Sequence, residues 1–268
     1  MAAERKRPWQ TARVATLVSK KHSQKNLNHQ GSVLPGIPRK NIEDNFTQPR
    51  PEQLLPVHVV RSLYELSGVM LDGKIMSFAK FEGKMVLLTN IASADKHCVR
   101  ELNQLNELAT TYGSRGLTIL AFPCNQFGHN EPYENDEILK CLQYVRPGCN
   151  FIPKFQVMAK CDVNGGFADP IFEFLKHRMP VTSDNSESLF RENQNDVTWS
   201  PLNKSDIMWN FEKFLVGPDG LPVRRYTVRT RASALGYDIE LQIKRIAKMK
   251  IEGNKFFHYE PQDKSYKD

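Results

Sequence analysis

The sequence predicts an α/β domain in which a central mixed sheet is flanked by helices, and three features support this prediction. Two nearly continuous apolar segments, 85–91 and 117–122, are typical of strands buried on both faces. Between them, apolar residues recur at three- and four-residue spacing from Val99 to Tyr112, which indicates an amphipathic helix with these residues on its buried face. A later hairpin and a final helix complete the pattern and make the strand order mixed.

The remaining elements follow from local signals. An Asp-Gly turn at 72–73 predicts an N-terminal hairpin between strands at 64–68 and 75–78. Further elements are helices at 134–145, 170–177 and 234–250, a short strand at 155–159, and a second hairpin at 211–216 and 223–228. The polar, irregular segment 179–206 is interpreted as an insertion outside the core.

Charge is concentrated at one end of the chain. The 268 residues carry a formal net charge of +7, but residues 1–41 contain nine Lys or Arg and one acid, Glu4. That segment is therefore +8 and the rest is −1. We predict a basic extension over 1–57, either disordered or a targeting segment, a folded domain over 58–250 and a polar tail over 251–268.

The sequence also limits compartment and partners. No run of about 18 apolar residues predicts a membrane span, and the N-terminus lacks the apolar core of a secretory signal. We expect a cytoplasmic protein, with a mitochondrial location through the basic N-terminus as the alternative. That tail has no interleaved aromatic residues, so nucleic acid is not the expected partner. The five cysteines form no C-x-x-C pair and no zinc signature, and neither metal nor bound cofactor is predicted.

Four short motifs are more specific than periodicity. Residues 122–128 read F-P-C-N-Q-F-G and residues 209–215 read W-N-F-E-K-F-L, with N-I-A-S at 90–93 and D-V-N-G at 162–165. In this order and spacing they resemble the glutathione peroxidase family from about residue 62 to about residue 246. The resemblance implies a thioredoxin-like fold and an antioxidant oxidoreductase that reduces hydroperoxides with glutathione in the response to oxidative stress.

The resemblance also implies the site. The family nucleophile is a selenocysteine or cysteine that opens the first core helix, where the helix dipole favours an anion. Ungapped alignment places it at Asp95. By resemblance, Gln126, Trp209 and Asn210 surround that anion and donate hydrogen bonds to it.

A carboxylate at position 95 cannot form a selenenic or sulfenic acid, so the family's reaction has no entry point here. Three explanations stay open: a site locked in an oxidised-like anionic state that binds without turnover, a decayed site in which Asp95 caps the helix, and a mistranslated selenocysteine codon. Cys98, three residues further on, is interpreted as a buried, inert thiol rather than a substitute nucleophile.

Glutathione carries two carboxylates, which arginine binds in bidentate fashion. By resemblance the candidates are Arg100, Arg146, Arg224 and Arg225. In a regular strand, adjacent residues point to opposite faces, so at most one of Arg224 and Arg225 reaches the cleft. The segment 179–206 resembles a loop of tetrameric members, so we expect a homotetramer, and V-R-P-G at 145–148 favours the glutathione-using branch. A non-catalytic pseudo-peroxidase that binds thiols or has a regulatory role is the competing hypothesis.

Overall fold

The structure is a computed structural model that describes residues 60–184 and 196–251, with side chains through 248. The described residues belong to one compact unit. The predicted extension at 1–57 and all but the first residue of the predicted tail at 251–268 lie outside the described residues, as does 185–195 within the predicted insertion.

A five-stranded mixed sheet forms the centre of the domain. Its strands are β3 (Met85–Ile91), β4 (Leu117–Pro123), β5 (Gln156–Val157), β6 (Lys213–Val216) and β7 (Pro222–Tyr226), preceded by the hairpin strands β1 (Ser67–Val69) and β2 (Ile75–Ser77). The order is β5-β4-β3-β6-β7; β3, β4 and β5 are parallel, and β6 is antiparallel to both β3 and β7. The predicted fold class and both hairpins are confirmed.

Helices cover both faces of this sheet. They are α1 (Cys98–Tyr112), α2 (Asn135–Tyr144), α3 (Pro170–Arg178) and α4 (Gly236–Ile251). Every residue of β3 is buried, and alternate residues enter two different apolar clusters. The cluster containing Leu87 includes residues of α1, α2 and the start of α4, whereas the cluster containing Leu88 includes residues of α3. Burial on both faces explains why β3 is apolar throughout rather than alternating.

Two sequence predictions require correction in the fold. Val99 was expected on the buried face of α1 but is exposed, because Cys98, Glu101 and Leu102 occupy the inward positions of the first turn. The segment 179–206 was expected to lie outside the core. Most of its described residues are exposed, but Trp199 is buried with its ring edge-on to Phe127, at a centroid separation of 5.2 Å.

Candidate active site

Asp95 lies in the loop that leaves β3 and enters α1. The 130–131 segment holds this loop: the backbone N–H and hydroxyl of Ser93 donate to the Glu131 carboxylate at 2.9 and 2.8 Å, and the N–H of Ala94 donates to the Asn130 carbonyl. His97, not Asp95, is the N-cap of α1. Of the three open explanations, the one in which Asp95 is the N-cap is therefore wrong, although Asp95 Oδ1 accepts the His97 N–H at 2.6 Å, just before the helix.

The other carboxylate oxygen of Asp95 accepts hydrogen bonds from three side chains that lie far from it in the sequence. Trp209 Nε1 donates to Oδ2 at 2.9 Å, Asn210 Nδ2 at 3.2 Å and Asn130 Nδ2 at 3.5 Å. Asp95 is only 2% exposed. Uncharged donors directed at one buried oxygen stabilise a negative charge without pairing it with a cation. The structure thus brings together Asp95, Trp209 and Asn210.

A strained turn presents the two donors on the β6 side. Phe211 follows them with φ of 64°, in the left-handed region that costs a bulky residue about 1–3 kcal/mol. Asn90, near the end of β3, holds the turn. Its backbone carbonyl accepts the Phe211 N–H at 2.7 Å. Its side-chain Nδ2 donates to the Trp209 carbonyl, and its Oδ1 accepts the Glu212 N–H. Surrounding hydrogen bonds therefore fix the donor geometry.

Gly128 ends the F-P-C-N-Q-F-G motif against the half-buried Trp209 ring. Its φ is 60°, and an added Cβ would lie 3.3 Å from Asn130 Nδ2 and 3.5 Å from the indole. The indole also packs against Phe127, with ring centroids 5.8 Å apart. Glycine is required because both the backbone conformation and the close ring approach disfavour a side chain.

Gln126, expected as a third donor to position 95, makes its hydrogen bonds elsewhere. Its Oε1 accepts from the N–H groups of Val163 and Asn164 at 2.8 and 3.0 Å, and its Nε2 donates to the Asn164 carbonyl at 2.8 Å. Asn130 provides the third side-chain donor to Asp95 instead. The expected donor role of Gln126 is corrected because D-V-N-G at 162–165 engages its carboxamide.

The four expected arginines fall into different environments. Arg225 is fully buried, forms an ion pair with Glu212 and donates to the carbonyls of Met179, Pro180, Ser205 and Asp206. It cannot reach a dissolved carboxylate, so its predicted substrate role is wrong. Arg224 points to the opposite side of β7 and is 53% exposed, as strand alternation predicts.

Arg100 lies five residues after position 95 in the sequence, and Arg146 lies beside Cys98, the first residue of α1. Arg100 bonds Glu101 Oε1 through Nε at 3.0 Å and through a terminal nitrogen at 2.9 Å. Arg146 Nε is buried and has no hydrogen-bond partner in the described part of the chain, while the backbone carbonyl of Arg146 faces the Cys98 thiol at 3.9 Å. A guanidinium with unused donors is suited to bind a carboxylate.

Sequence reasoning missed Asn130 and Glu131. They lie two and three residues after the F-P-C-N-Q-F-G motif, beyond the carboxyl end of β4, which pairs with β3, and this placement was the available signal. Glu131 is fully buried, and burial raises the pKa of its carboxyl. Its two bonds from Ser93 hold the loop that carries Asp95.

All five cysteines are free. Burial raises the pKa of the Cys98 and Cys124 thiols to about 12, which makes both thiols poor nucleophiles. Cys149 is exposed.

Within residues 60–184 and 196–251, no group of three or more His, Cys, Asp or Glu side chains could hold a metal ion, and no helix is long and apolar enough to cross a membrane.

A parallel β-α-β unit whose first strand-to-helix loop carries Asp95, beside an antiparallel hairpin, is the arrangement of a thioredoxin-like fold. The crystal structure of T. cruzi GPX1 agrees, with a TM-score of 0.50 and 26% identity over 68% of this chain and 97% of that chain.

Sequence comparison then identifies the family. The glutathione peroxidase family profile matches residues 63–176. Glutathione peroxidase 1 of Sus scrofa is 48% identical over 67% of this chain and 87% of its own length, and glutathione peroxidase 2 of Mus musculus is 45% identical over 72% and 99%. The chain belongs to the glutathione peroxidase family, whose function is peroxide reduction.

Proposed function

We propose that this protein is built to reduce hydroperoxides with glutathione, in the response to oxidative stress, and that position 95 is its reacting position. One observation carries the proposal. The side chain at position 95 ends in a buried atom that accepts hydrogen bonds from Trp209 at 2.9 Å and from Asn210 at 3.2 Å. This geometry stabilises an anionic nucleophile in a protein family that reduces peroxides.

The reaction needs sulfur or selenium at that position. A thiolate attacks the hydroperoxide O–O bond and forms a sulfenic acid, and the departing alkoxide takes a proton and leaves as the alcohol. One glutathione then displaces water to form a mixed disulfide, and a second glutathione restores the thiol and releases glutathione disulfide. A carboxylate forms no S–O bond, so the chain with Asp95 is inactive as a peroxidase.

Glutathione recognition is assigned to the arginines whose donors remain accessible or unused. Arg146 is the first candidate because its Nε has no partner in the described residues. Arg224 is half exposed, and Arg100 keeps donors beyond those that bond Glu101. In the Asp95→Cys background, Arg146→Met is expected to raise the KM for glutathione more than Arg224→Met, with little change in the KM for peroxide.

The assembly and the compartment form part of the same proposal. The segment 179–206 supports a homotetramer, and the predicted location is cytoplasmic, with mitochondria as the alternative. Light scattering during size-exclusion chromatography tests the first, since a single-chain mass would exclude the tetramer. Fluorescent fusions of the full chain and of residues 58–268 test the second, because only an N-terminal targeting segment makes their locations differ.

The decisive experiment restores a nucleophile. Asp95→Cys is expected to reduce hydrogen peroxide and organic hydroperoxides with glutathione, whereas the parent and Asp95→Ser stay at background in the same coupled assay. Adding Trp209→Phe to Asp95→Cys is expected to lower kcat/KM about tenfold or more, because one donor to the anion is lost. A folded Asp95→Cys protein without turnover would contradict the proposal.

The second candidate function is a non-catalytic protein that binds thiols. Asp95 favours it, because its carboxylate is buried and accepts from three side chains and the His97 N–H. The mass of peptide 85–96 from the natural source separates the two functions. A mass that corresponds to aspartate at position 95 supports the binding protein, and a mass that corresponds to selenocysteine or cysteine there supports the enzyme. If Asp95 is present, calorimetry should then detect glutathione binding that weakens in Arg146→Met.

A further inference from the structure

The two halves of the site come from different elements, and one buried ion pair joins those elements. Position 95 precedes α1, and the donors Trp209 and Asn210 precede β6. Glu101 lies in the first turn of α1 and Lys213 is the first residue of β6, with Lys213 Nζ 2.9 Å from Glu101 Oε2. Both side chains are 0% exposed.

Lys213 uses its three N–H groups fully. Besides Glu101, its ammonium donates to the Phe211 carbonyl at 2.8 Å and to the Thr230 carbonyl at 3.1 Å. Glu101 is equally occupied, since it accepts from Arg100 and from the backbone N–H of Ala232. The charged groups that act on the Lys213 ammonium are Glu101, Arg100 and Glu212.

The bond to Phe211 connects the ion pair to the donors. Phe211 is the residue with φ of 64° that directly follows Asn210, and its N–H is already bonded to Asn90. The Lys213 ammonium holds the carbonyl on the other side of the same residue. Both peptide groups flanking the strained position are thus anchored, which fixes the direction in which Trp209 and Asn210 leave the turn.

We propose that Lys213, paired with Glu101, is a positioning residue that holds the Trp209–Asn210 donor pair against position 95. The inference rests on the proposed function, since it concerns the same site. An apolar pair often replaces a buried ion pair without loss of stability. Its value here lies in geometry: one ammonium links the helix that follows the reacting position to the turn that carries the donors.

The test uses the full chain with Asp95→Cys and follows iodoacetamide alkylation of peptide 85–96 against pH by mass spectrometry. This readout reports the thiolate fraction at position 95 and needs no peroxide turnover. Adding Glu101→Gln and Lys213→Met together is expected to raise the apparent pKa of that thiol by about one unit, which lowers alkylation at neutral pH about tenfold. The matched control is Leu105→Ala in the same Asp95→Cys background, a core change that destabilises the fold without touching the ion pair.

Two further variants keep the inference falsifiable. Asp95→Cys with Asn210→Ala measures the effect of losing one donor; no change there would overturn the inference, because the donors would then not act on the anion. Should the triple variant fail to fold, Asp95→Cys with Lys213→Arg keeps a cation beside Glu101 but changes how it reaches the Phe211 carbonyl, and is expected to lower alkylation about threefold. A pH profile identical to that of Asp95→Cys would overturn the role of Lys213.

The two proposals fail in different ways. If Asp95→Cys shows no peroxidase turnover but its thiol still responds to Lys213, the proposed function fails and the positioning role stands. If Asp95→Cys turns over and its profile is unmoved by Glu101→Gln with Lys213→Met, the function stands and the positioning role fails.

Discussion

Two buried carboxylates, those of Asp95 and Glu212, accept hydrogen bonds from the segment 208–213, but their surroundings differ. Asp95 accepts from the uncharged donors Trp209 and Asn210, and the Trp209 ring is half-buried. Glu212 accepts the Met208 N–H and pairs with Arg225, whose remaining donors bond four backbone carbonyls. The first cluster can stabilise an anion near a half-buried ring, whereas in the second every guanidinium nitrogen of Arg225 already has a partner and the side chain is fully buried.

The comparison shows that residue type does not identify a functional cluster. By resemblance, Arg225 was expected to bind a carboxylate of glutathione, yet the fold uses it entirely in the interior. Asn210 and Trp209, which are ordinary core or turn residues when taken singly, become site residues because their donors converge on one atom. Remaining hydrogen-bonding capacity and access separate the two cases.

The largest effect should appear at the internal cluster. Arg225→Met leaves the Glu212 carboxylate buried without its cation, which is expected to cost about 3–5 kcal/mol of unfolding free energy. Arg224→Met, the adjacent exposed residue, is expected to cost about 1 kcal/mol or less. Urea unfolding of both variants measures this difference, and equal losses would mean that the two arginines do not differ as described.

Cysteine reactivity should divide along the same line between buried and accessible groups. The pKa of the Cys98 thiol is raised to about 12 by burial, while Cys149 is exposed. Under native conditions at neutral pH, iodoacetamide is expected to label Cys149 at least about a hundredfold faster than Cys98. Peptide mass spectrometry over time gives both rates, with unfolded protein as the reference. Fast labelling of Cys98 would reopen its role as a nucleophile.

Gln126 provides a sharper contrast with Asn210, because both are buried amides within matched motifs. Gln126→Met leaves the N–H groups of Val163 and Asn164 without an acceptor, at an expected cost of about 1–3 kcal/mol. In the Asp95→Cys background it should leave the alkylation pH profile of position 95 unchanged, whereas Asn210→Ala should shift it. A shift of similar size in Gln126→Met would restore Gln126 as a donor to the site.

The smallest effect concerns the pH dependence of stability at Glu131. Because burial raises the pKa of its carboxyl above 4.5, the unfolded chain releases this proton first as pH rises. The folded parent therefore loses stability above about pH 4.5 relative to Glu131→Gln, and the loss levels off above the folded pKa.

Denaturant titrations of the two proteins between pH 4 and pH 7 measure this difference. The gap in unfolding free energy is expected to change in favour of Glu131→Gln as pH increases. A gap that stays constant across this range would show that Glu131 titrates in the folded protein as it does in the unfolded chain.

Much of the fold could be predicted because its strongest signals are local. The apolar runs at 85–91 and 117–122 match β3 and β4 to within a residue, and the helix between them is α1. Short elements were less certain: a strand expected at 155–159 is only Gln156–Val157, since so short an edge strand carries little periodic signal. Val99 was misplaced because hydrophobicity alone ignores the inward-facing Glu101 and its buried partner Lys213.

The α/β class, the family, and the grouping of Asp95 with Trp209 and Asn210 could be predicted from the sequence, because motifs of fixed spacing carry that information. Three features required the folded structure: Asn130 rather than Gln126 bonds Asp95, Arg225 is internal, and Lys213 anchors the donor turn. Each of these depends on which groups meet across long sequence separations. A side chain's hydrogen bonds are shared among its spatial neighbours, and those neighbours are set by the packing of helices against the sheet.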